Sequence, residues 1–279
     1  TWAAVGKALR QAWQVLPRLV EEPPYAALLL TAILILAGAF RFTGLNWDEG
    51  QHLHPDERFL TMVENSLQWP KSWGEYWDTA VNPLNPNNHN FGSYVYGLFP
   101  VVLTKFVGEM LGMTGYGAVY LVGRALSGVM DLLSILVVFL LGRRLYNVRV
   151  GLVGALLGAL TALTIQQSHF FTVDNFTMFF ITLALYAAVR VAQGGGWGSV
   201  LLLGTAFGLA VSCKINALTF LLIIGLAFIL RAARQANLFG GEVLPQERRL
   251  RFGRFRVRWE WGLEPACGPL PSRERFALK

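Results

Sequence analysis

Charge is scarce in this chain: Asp, Glu, Lys and Arg supply 15% of the residues and hydrophobic side chains 54%. Soluble domains carry about 25% charge, so an ordinary water-facing surface is excluded. From Pro24 to Phe40 there is no charge at all, and charge-free runs recur at 150–168, 175–189, 191–213 and 215–230. Cysteine occurs twice, as Cys213 and Cys267, and histidine four times. Neither type forms a CxxC or HExxH pair, which leaves no specific thiol or imidazole metal signature. No internal repeat stands out. The arginine-rich stretch from Arg248 to Arg258 lacks a nucleic-acid module, so nucleic acid is not the expected partner.

What the chain does have is apolar length. A helix needs about 20 residues to cross a bilayer. Counting 119–141 in spite of Arg124 and Asp131, six crossings are expected, at 24–42, 119–141, 150–166, 175–191, 197–212 and 215–230. Gly194-Gly195-Gly196 places the start of the fifth near Trp197. The expected fold is an all-α polytopic membrane protein. Residues 1–23 hold Lys7, Arg10 and Arg18 among Trp2, Val5, Leu9 and Trp13, which suits an amphipathic helix on the membrane surface rather than a cleavable signal. Residues 24–230 form the transmembrane module and 231–279 a basic tail.

Arginine placement orients the module. Lys7, Arg10 and Arg18, then Arg143, Arg144 and Arg149, then Arg190, and finally Arg231 and Arg234 all fall on one side of the six crossings. That side is cytoplasmic by the positive-inside rule, and the N-terminus with it, as expected in a bacterial plasma membrane. The outer side then holds loop 43–118, the link 167–174 and the turn at Cys213-Lys214. The loop carries eight acids and three bases, the tail eleven bases and five acids. The tail therefore reads as a cytoplasmic segment near anionic membrane lipid. Segment 91–112 includes Pro100, Lys105 and Glu109 and reads as a helix along the outer surface rather than a seventh crossing. Cys213 and Cys267 fall on opposite faces, so no disulfide between them is expected.

Directly behind the first span, the stretch from Asn46 to Phe59 sets Asp48, Glu49, Asp56 and Glu57 beside His52 and His54. Ionisable groups are costly at that depth and are usually retained for chemistry or a charged ligand. Other outer helix ends add Arg124, Asp174, Lys214 and His169. Carboxylates facing an arginine and a lysine suit a substrate with a lipid-anchored phosphate. The cations would hold phosphate oxygens, and a carboxylate would take the proton of an attacking hydroxyl or amine. Each residue also has a purely structural reading. His54-Pro55-Asp56-Glu57 is a good helix start, Asp174 could cap a helix, Lys214 could snorkel, and Asp131 reads as a buried polar partner or a pore-facing residue rather than a reactant. Trp47, Trp69, Trp73 and Trp77 read as interfacial anchors. His52, His54, Asp48, Asp56, His169 and Asp174 have the ligand types of a divalent metal site, though no spacing fixes one.

Four places together resemble the lipid-phosphosugar-dependent glycosyltransferases of the GT-C fold, particularly the protein O-mannosyltransferase and aminoarabinose-transferase-like branch. They are His54-Pro55-Asp56-Glu57-Arg58-Phe59; Val122 to Ser127, opening a helix that ends at Leu141 to Tyr146; Ser168 to Asp174; and Lys214 at a helix end. The resemblance covers residues 24–230. It implies transfer of a sugar from a polyprenyl-phosphate donor to an acceptor at the extracytoplasmic face. By motif, Asp56 with Glu57 would supply the acid, Asp48-Glu49 being a second pair that answers the same pattern. Arg124 and Lys214 would bind phosphate, with Asp174 orienting them or a sugar hydroxyl. The family continues through further helices, so the chain reads as lacking its C-terminal part. An accessory subunit packed against partner membrane subunits is the alternative. A transporter fits less well, because the polar residues gather at one surface rather than at mid-bilayer breaks.

Overall fold

The computed structural model describes residues 23–236. The segment expected as an amphipathic helix and nearly all of the basic tail, Cys267 included, lie outside the described residues. The described chain is helical, with no strand. Its α-helices are α1 (Pro23–Phe42), α2 (Pro55–Ser66), α3 (Trp73–Trp77), α4 (Phe99–Leu111), α5 (Val119–Leu145), α6 (Val148–Leu160), α7 (Ala162–Gln167), α8 (Asp174–Ala192), α9 (Trp197–Cys213) and α10 (Leu221–Gln235). Short 3-10 turns occupy Pro86–His89 and Ile215–Phe220. Four segments are long and apolar enough to cross a membrane: Pro24–Phe42, Val119–Leu145, Asp174–Ala192 and Ile215–Gln235. Val148–Leu160 and Trp197–Cys213 are shorter apolar helices. This is an all-α polytopic membrane fold.

Lipid offers no hydrophobic drive for helix pairing, so close packing of small residues does that work. The α8–α9 seam buries Ala184, Ala187, Ala188 and Ala206, and the α1–α6 seam buries Ala37, Ala155 and Ala159. Between α5 and α6 the backbones nearly touch: a Cβ on Gly142 would lie 2.9 Å from the Gly151 Cα.

The third expected crossing is not one straight helix. The α6 helix stops at Leu160, Thr161 is extended at φ −68° and ψ 114°, and α7 begins at Ala162. No proline interrupts this stretch. The carbonyls that a helix end leaves unpaired are taken up by Arg41 of α1. Its Nη1 donates to Ala159 O (2.9 Å) and Ala37 O (3.1 Å), and its Nη2 to Gly158 O (3.0 Å) and Thr164 Oγ1 (3.1 Å). Its Nε donates to Asp131 Oδ2 at 2.6 Å. Arg41 and Asp131 are fully buried. Asp131 is thus a buried polar partner, as read from the sequence; Arg41, at the end of an apolar run, is a residue that reading passed over.

The first loop builds a second layer at the end of the bundle where α1 finishes and α5 starts. Leu60, Val63 and Leu67 of α2 and its end pack with Leu84, Val101, Phe171 and Val173. The α4 helix buries Pro100, Val101, Thr104 and Gly108 and exposes Phe106, Met110 and Leu111. Its 13 residues reach only about 20 Å, short of a bilayer's roughly 30 Å. Trp73 and Trp77 are largely exposed, whereas the Trp69 Nε1 donates to Glu109 Oε2 at 2.6 Å.

Candidate functional site

The acidic loop divides into a buried half and an open half, and helix geometry does the dividing. His54 is the N-cap of α2: its Nδ1 accepts from the Glu57 N–H at 3.4 Å, and Pro55 follows in the first turn. Neighbouring residues on a helix diverge by about 100°. Glu57 therefore points inward and is fully buried, while Asp56 is only half-buried. Ahead of α2 the chain turns through left-handed conformations at Glu49, Gly50 and His52 (φ 52°, 79° and 49°). The turn wraps the Asp48 carboxylate, which accepts from the Gly50 and Leu53 N–H groups, both at 3.3 Å.

Arg124 closes the buried half. Its Nε and Nη2 both donate to the Glu57 carboxylate, at 2.8 and 2.5 Å. Nη2 also donates to Asp48 Oδ2 at 2.9 Å, and Nη1 donates to Leu45 O. The Phe171 N–H donates to Glu57 Oε2 at 2.7 Å. Gly123 makes room for that approach, since a Cβ there would sit 2.2 Å from Phe171 Cγ. Arg124 is fully buried and Asp48 nearly so; the guanidinium also faces the rings of Tyr120 and Trp47. Burial works against ionisation of Asp48, but the Arg124 hydrogen bond, the Leu53 N–H and the Arg124 charge outweigh it and hold the carboxyl below its usual 3.8. Each guanidinium nitrogen of Arg124 already has an acceptor inside the protein, so a phosphate, the ligand expected for it, would have to share this arginine with Glu57 and Asp48.

The open half lies beside it. The α8 helix begins with Asp174 itself, and no side chain caps it at Val173, so Asp174 is not the N-cap that its residue type allows. Its Oδ1 instead accepts from Lys214 Nζ at 2.8 Å, and both side chains keep over a third of their surface exposed (42% and 34%). Lys214 is the first residue after α9. Tyr96 lies within electrostatic reach of both Asp56 and Asp174. Burial first, then the Asp56 charge and a hydrogen bond to it, then the Asp174 charge, push the Tyr96 phenol above its usual 10. The loop carrying Tyr96 is fixed to α9: the Gly97 N–H donates to Cys213 O at 2.9 Å, and Tyr94 Oη donates to Gly97 O at 2.8 Å. Asp56, Tyr96, Asp174 and Lys214 therefore form one partly exposed cluster.

The remaining residues singled out in the sequence have other settings. The His54 ring stacks on Phe170 at 4.3 Å, and Trp47 meets Phe170 edge-on while donating to His169 O. Trp47 is thus part of the site's wall rather than a free anchor. His169 sets Nδ1 against Ile165 O (2.8 Å) and Nε2 against Thr43 O (2.9 Å), tying α7 to the end of α1. His52 is buried between Tyr116 and Tyr120, and Glu49 is exposed. Among the described residues no three His, Cys, Asp or Glu side chains come together as a metal cluster. The six candidate ligands are dispersed because the histidines serve the helix start, the aromatic stack and the α1–α7 tie. Tyr96 was not read from the sequence, where a Tyr in Ser93-Tyr94-Val95-Tyr96-Gly97 gives no sign of which carboxylates it will meet.

Residues 110–239 match the family described as dolichyl-phosphate-mannose-protein mannosyltransferase. Over that segment the chain is similar to glycosyltransferases of the GT-C family. The matched segment contains Arg124, Asp174 and Lys214, while Asp48, Asp56 and Tyr96 precede it. No curated protein and no solved structure matches the chain.

Proposed function

We propose that the chain transfers a sugar from a polyprenyl-phosphate donor to an acceptor hydroxyl or amine at the extracytoplasmic face, with Asp56 as the general base. In this reaction the acceptor atom attacks the anomeric carbon and the bond from that carbon to the phosphate oxygen breaks. The bonding electron pair leaves with the polyprenyl phosphate, and the acceptor's proton goes to Asp56. Lys214 holds the phosphate as a point charge, steadied by Asp174. Arg124, Asp48 and Glu57 form the buried support on which α2 presents Asp56.

The observation that carries this reading is the division of the two acidic pairs. Of Asp56 and Glu57, the carboxylate left accessible is the one near the Asp174–Lys214 pair, and a base must reach the proton it removes. Orientation supports the outer face, because Arg143, Arg144, Arg190 and Arg231 lie at the end of the bundle away from the acidic loop. The deciding measurement is transfer of labelled sugar from a polyprenyl-phosphate donor by wild type and Asp56→Asn. Losing a general base costs a factor of about 10² to 10⁴. Wild-type turnover by Asp56→Asn would remove the assignment. A chain that retains the labelled donor but transfers nothing would point instead to an accessory subunit.

A further inference from the structure

We propose that the turn joining α8 to α9 is the floor of a binding site for the headgroup of an anionic phospholipid, lined by Arg144, Arg190 and Arg231. The site stands at the end of the bundle away from the acidic loop and does not depend on the transferase reading. Its framework is the run Gln193-Gly194-Gly195-Gly196. Gly194 takes a left-handed conformation at φ 86°, which glycine adopts at no steric cost. The chain then folds back on the end of α8, where helical carbonyls lack partners. The Gly194 N–H donates to Val191 O at 2.9 Å and the Gly195 N–H to Arg190 O at 2.8 Å. That return admits no side chain at Gly195, where a Cβ would lie 2.6 Å from both Arg190 O and Ser199 Oγ.

Arginines from two other helices reach across to this turn. Arg144, in the last turn of α5, donates from Nε to Gln193 Oε1 at 2.6 Å, and Arg231 of α10 donates from Nη1 to Gly195 O at 2.7 Å. Arg190, in the last turn of α8, sets its guanidinium over the Tyr186 ring at 5.8 Å. All three residues are half-buried. The plain alternative is that each arginine complements its own helix end, where cations are favoured. The bonds of Arg144 and Arg231 go instead to the turn that ends α8, so three cations share one place. Residues 142–149, 189–196 and 231–236 contain no Asp or Glu, and among the described residues no ion pair includes any of the three. The two fully buried arginines, Arg41 and Arg124, each have a carboxylate partner; the anion that balances these three has to come from outside their own segments. Depth points to its source. Tyr146, two residues after Arg144, and Trp197, directly after the turn, are largely exposed, and such rings settle at the headgroup level of a bilayer. The phosphate found at that level suits arginine, whose planar fork grips it through two parallel N–H bonds, and basic pockets between transmembrane helices bind acidic headgroups.

The test titrates the full chain in detergent with phosphatidylglycerol. Bound lipid is read by native mass spectrometry, and the lipid-induced rise in melting temperature is read for each variant against its own lipid-free baseline. Wild type should bind phosphatidylglycerol more tightly than phosphatidylcholine, which carries the same phosphate without net charge. Arg190→Gln removes one charge and leaves both hydrogen bonds to the turn, so the fold is kept. Its affinity should fall about fivefold, the factor equivalent to roughly 1 kcal/mol per basic residue near an anionic surface. Combining Arg144→Gln, Arg190→Gln and Arg231→Gln should cost about a hundredfold on the same scale. Arg234→Gln, exposed on α10, is the control and should keep wild-type affinity; the basic tail is present in every variant and contributes equally. Equal phosphatidylglycerol affinity in wild type, Arg190→Gln and the triple variant would overturn the proposal, as would indifference between the two lipids. A loss in Arg234→Gln as large as that in Arg190→Gln would reduce the site to diffuse charge and overturn it too. Displacement of the lipid by millimolar inorganic phosphate would make this a free-phosphate site and overturn the lipid assignment.

Discussion

Replacing Arg124 by methionine separates the two roles a buried arginine can have here. The substitution keeps comparable volume and removes a guanidinium that bonds Glu57 twice, Asp48 once and Leu45 O once. What remains is two carboxylates, Glu57 fully buried and Asp48 5% exposed, facing each other across a vacated space. The Gly50, Leu53 and Phe171 N–H groups still donate to them, so some charge stabilisation survives. Breaking a buried ion pair by removing one partner typically costs about 3–5 kcal/mol. With about 2–4 °C per kcal/mol for a chain of this size, the apparent melting temperature should fall by roughly 6–20 °C. Arg124→Lys should recover part of the loss, because one ammonium cannot reproduce the bidentate contact with Glu57 while also reaching Asp48. The triple variant Asp48→Asn, Glu57→Gln, Arg124→Met should be more stable than Arg124→Met alone, since it removes the orphaned charges. The assay is thermal unfolding in detergent, followed by donor retention on the fraction that stays folded. An unchanged melting temperature with abolished donor retention would refute the support role and return Arg124 to the phosphate.

Two further outcomes follow from buried charge elsewhere. Burial raises the Glu64 carboxyl above its usual 4.5, with Lys105 opposing and Glu109 adding to the effect. A raised folded-state value stabilises the fold only while the group is protonated, and that contribution is lost as pH rises through it; Glu64→Gln should therefore melt higher than wild type at neutral pH and converge with it below pH 4. Parallel melting curves from pH 4 to 8 would contradict this. Arg41→Leu should destabilise more than Asp131→Asn, because leucine also abandons the carbonyls of Gly158 and Ala159, each worth about 1–3 kcal/mol when left unpaired; equal losses in thermal unfolding would show that the ion pair alone matters.

Four of the six expected crossings, the long apolar helices, were legible because apolar length is written in consecutive residues. The start of α2 was legible for the same reason: a cap, a proline and two acids occupy adjacent positions. What could not be read was which acids face which cations. Glu57 and Asp48 lie 67 and 76 positions from Arg124, and nothing local distinguishes a buried arginine at a helix start from one presented to a ligand. The one-residue difference between Asp56 and Glu57 decides inward from outward only once α2 is docked. The break at Thr161 has no proline to announce it, and the carbonyls at the end of α6 are met by a side chain from another helix. A signal for that pairing did exist. Arg41 and Asp131 are opposite charges within separate apolar spans, and such charges are expected to seek each other.

The position of Arg41 also bears on how the chain is assembled. Apart from Ala37 O, its acceptors come from Asp131 of α5 and from Gly158, Ala159 and Thr164 at the α6–α7 joint. A ribosome delivers α1 long before any of these. During the synthesis of well over a hundred residues, the first helix enters the bilayer with a guanidinium whose permanent partners do not yet exist. Its place near the loop end of α1 lets it reach the headgroups in the interval. Arg41 gains its full set of acceptors only once Thr164 has been made, so the complete lock on α1 requires α5, α6 and the start of α7.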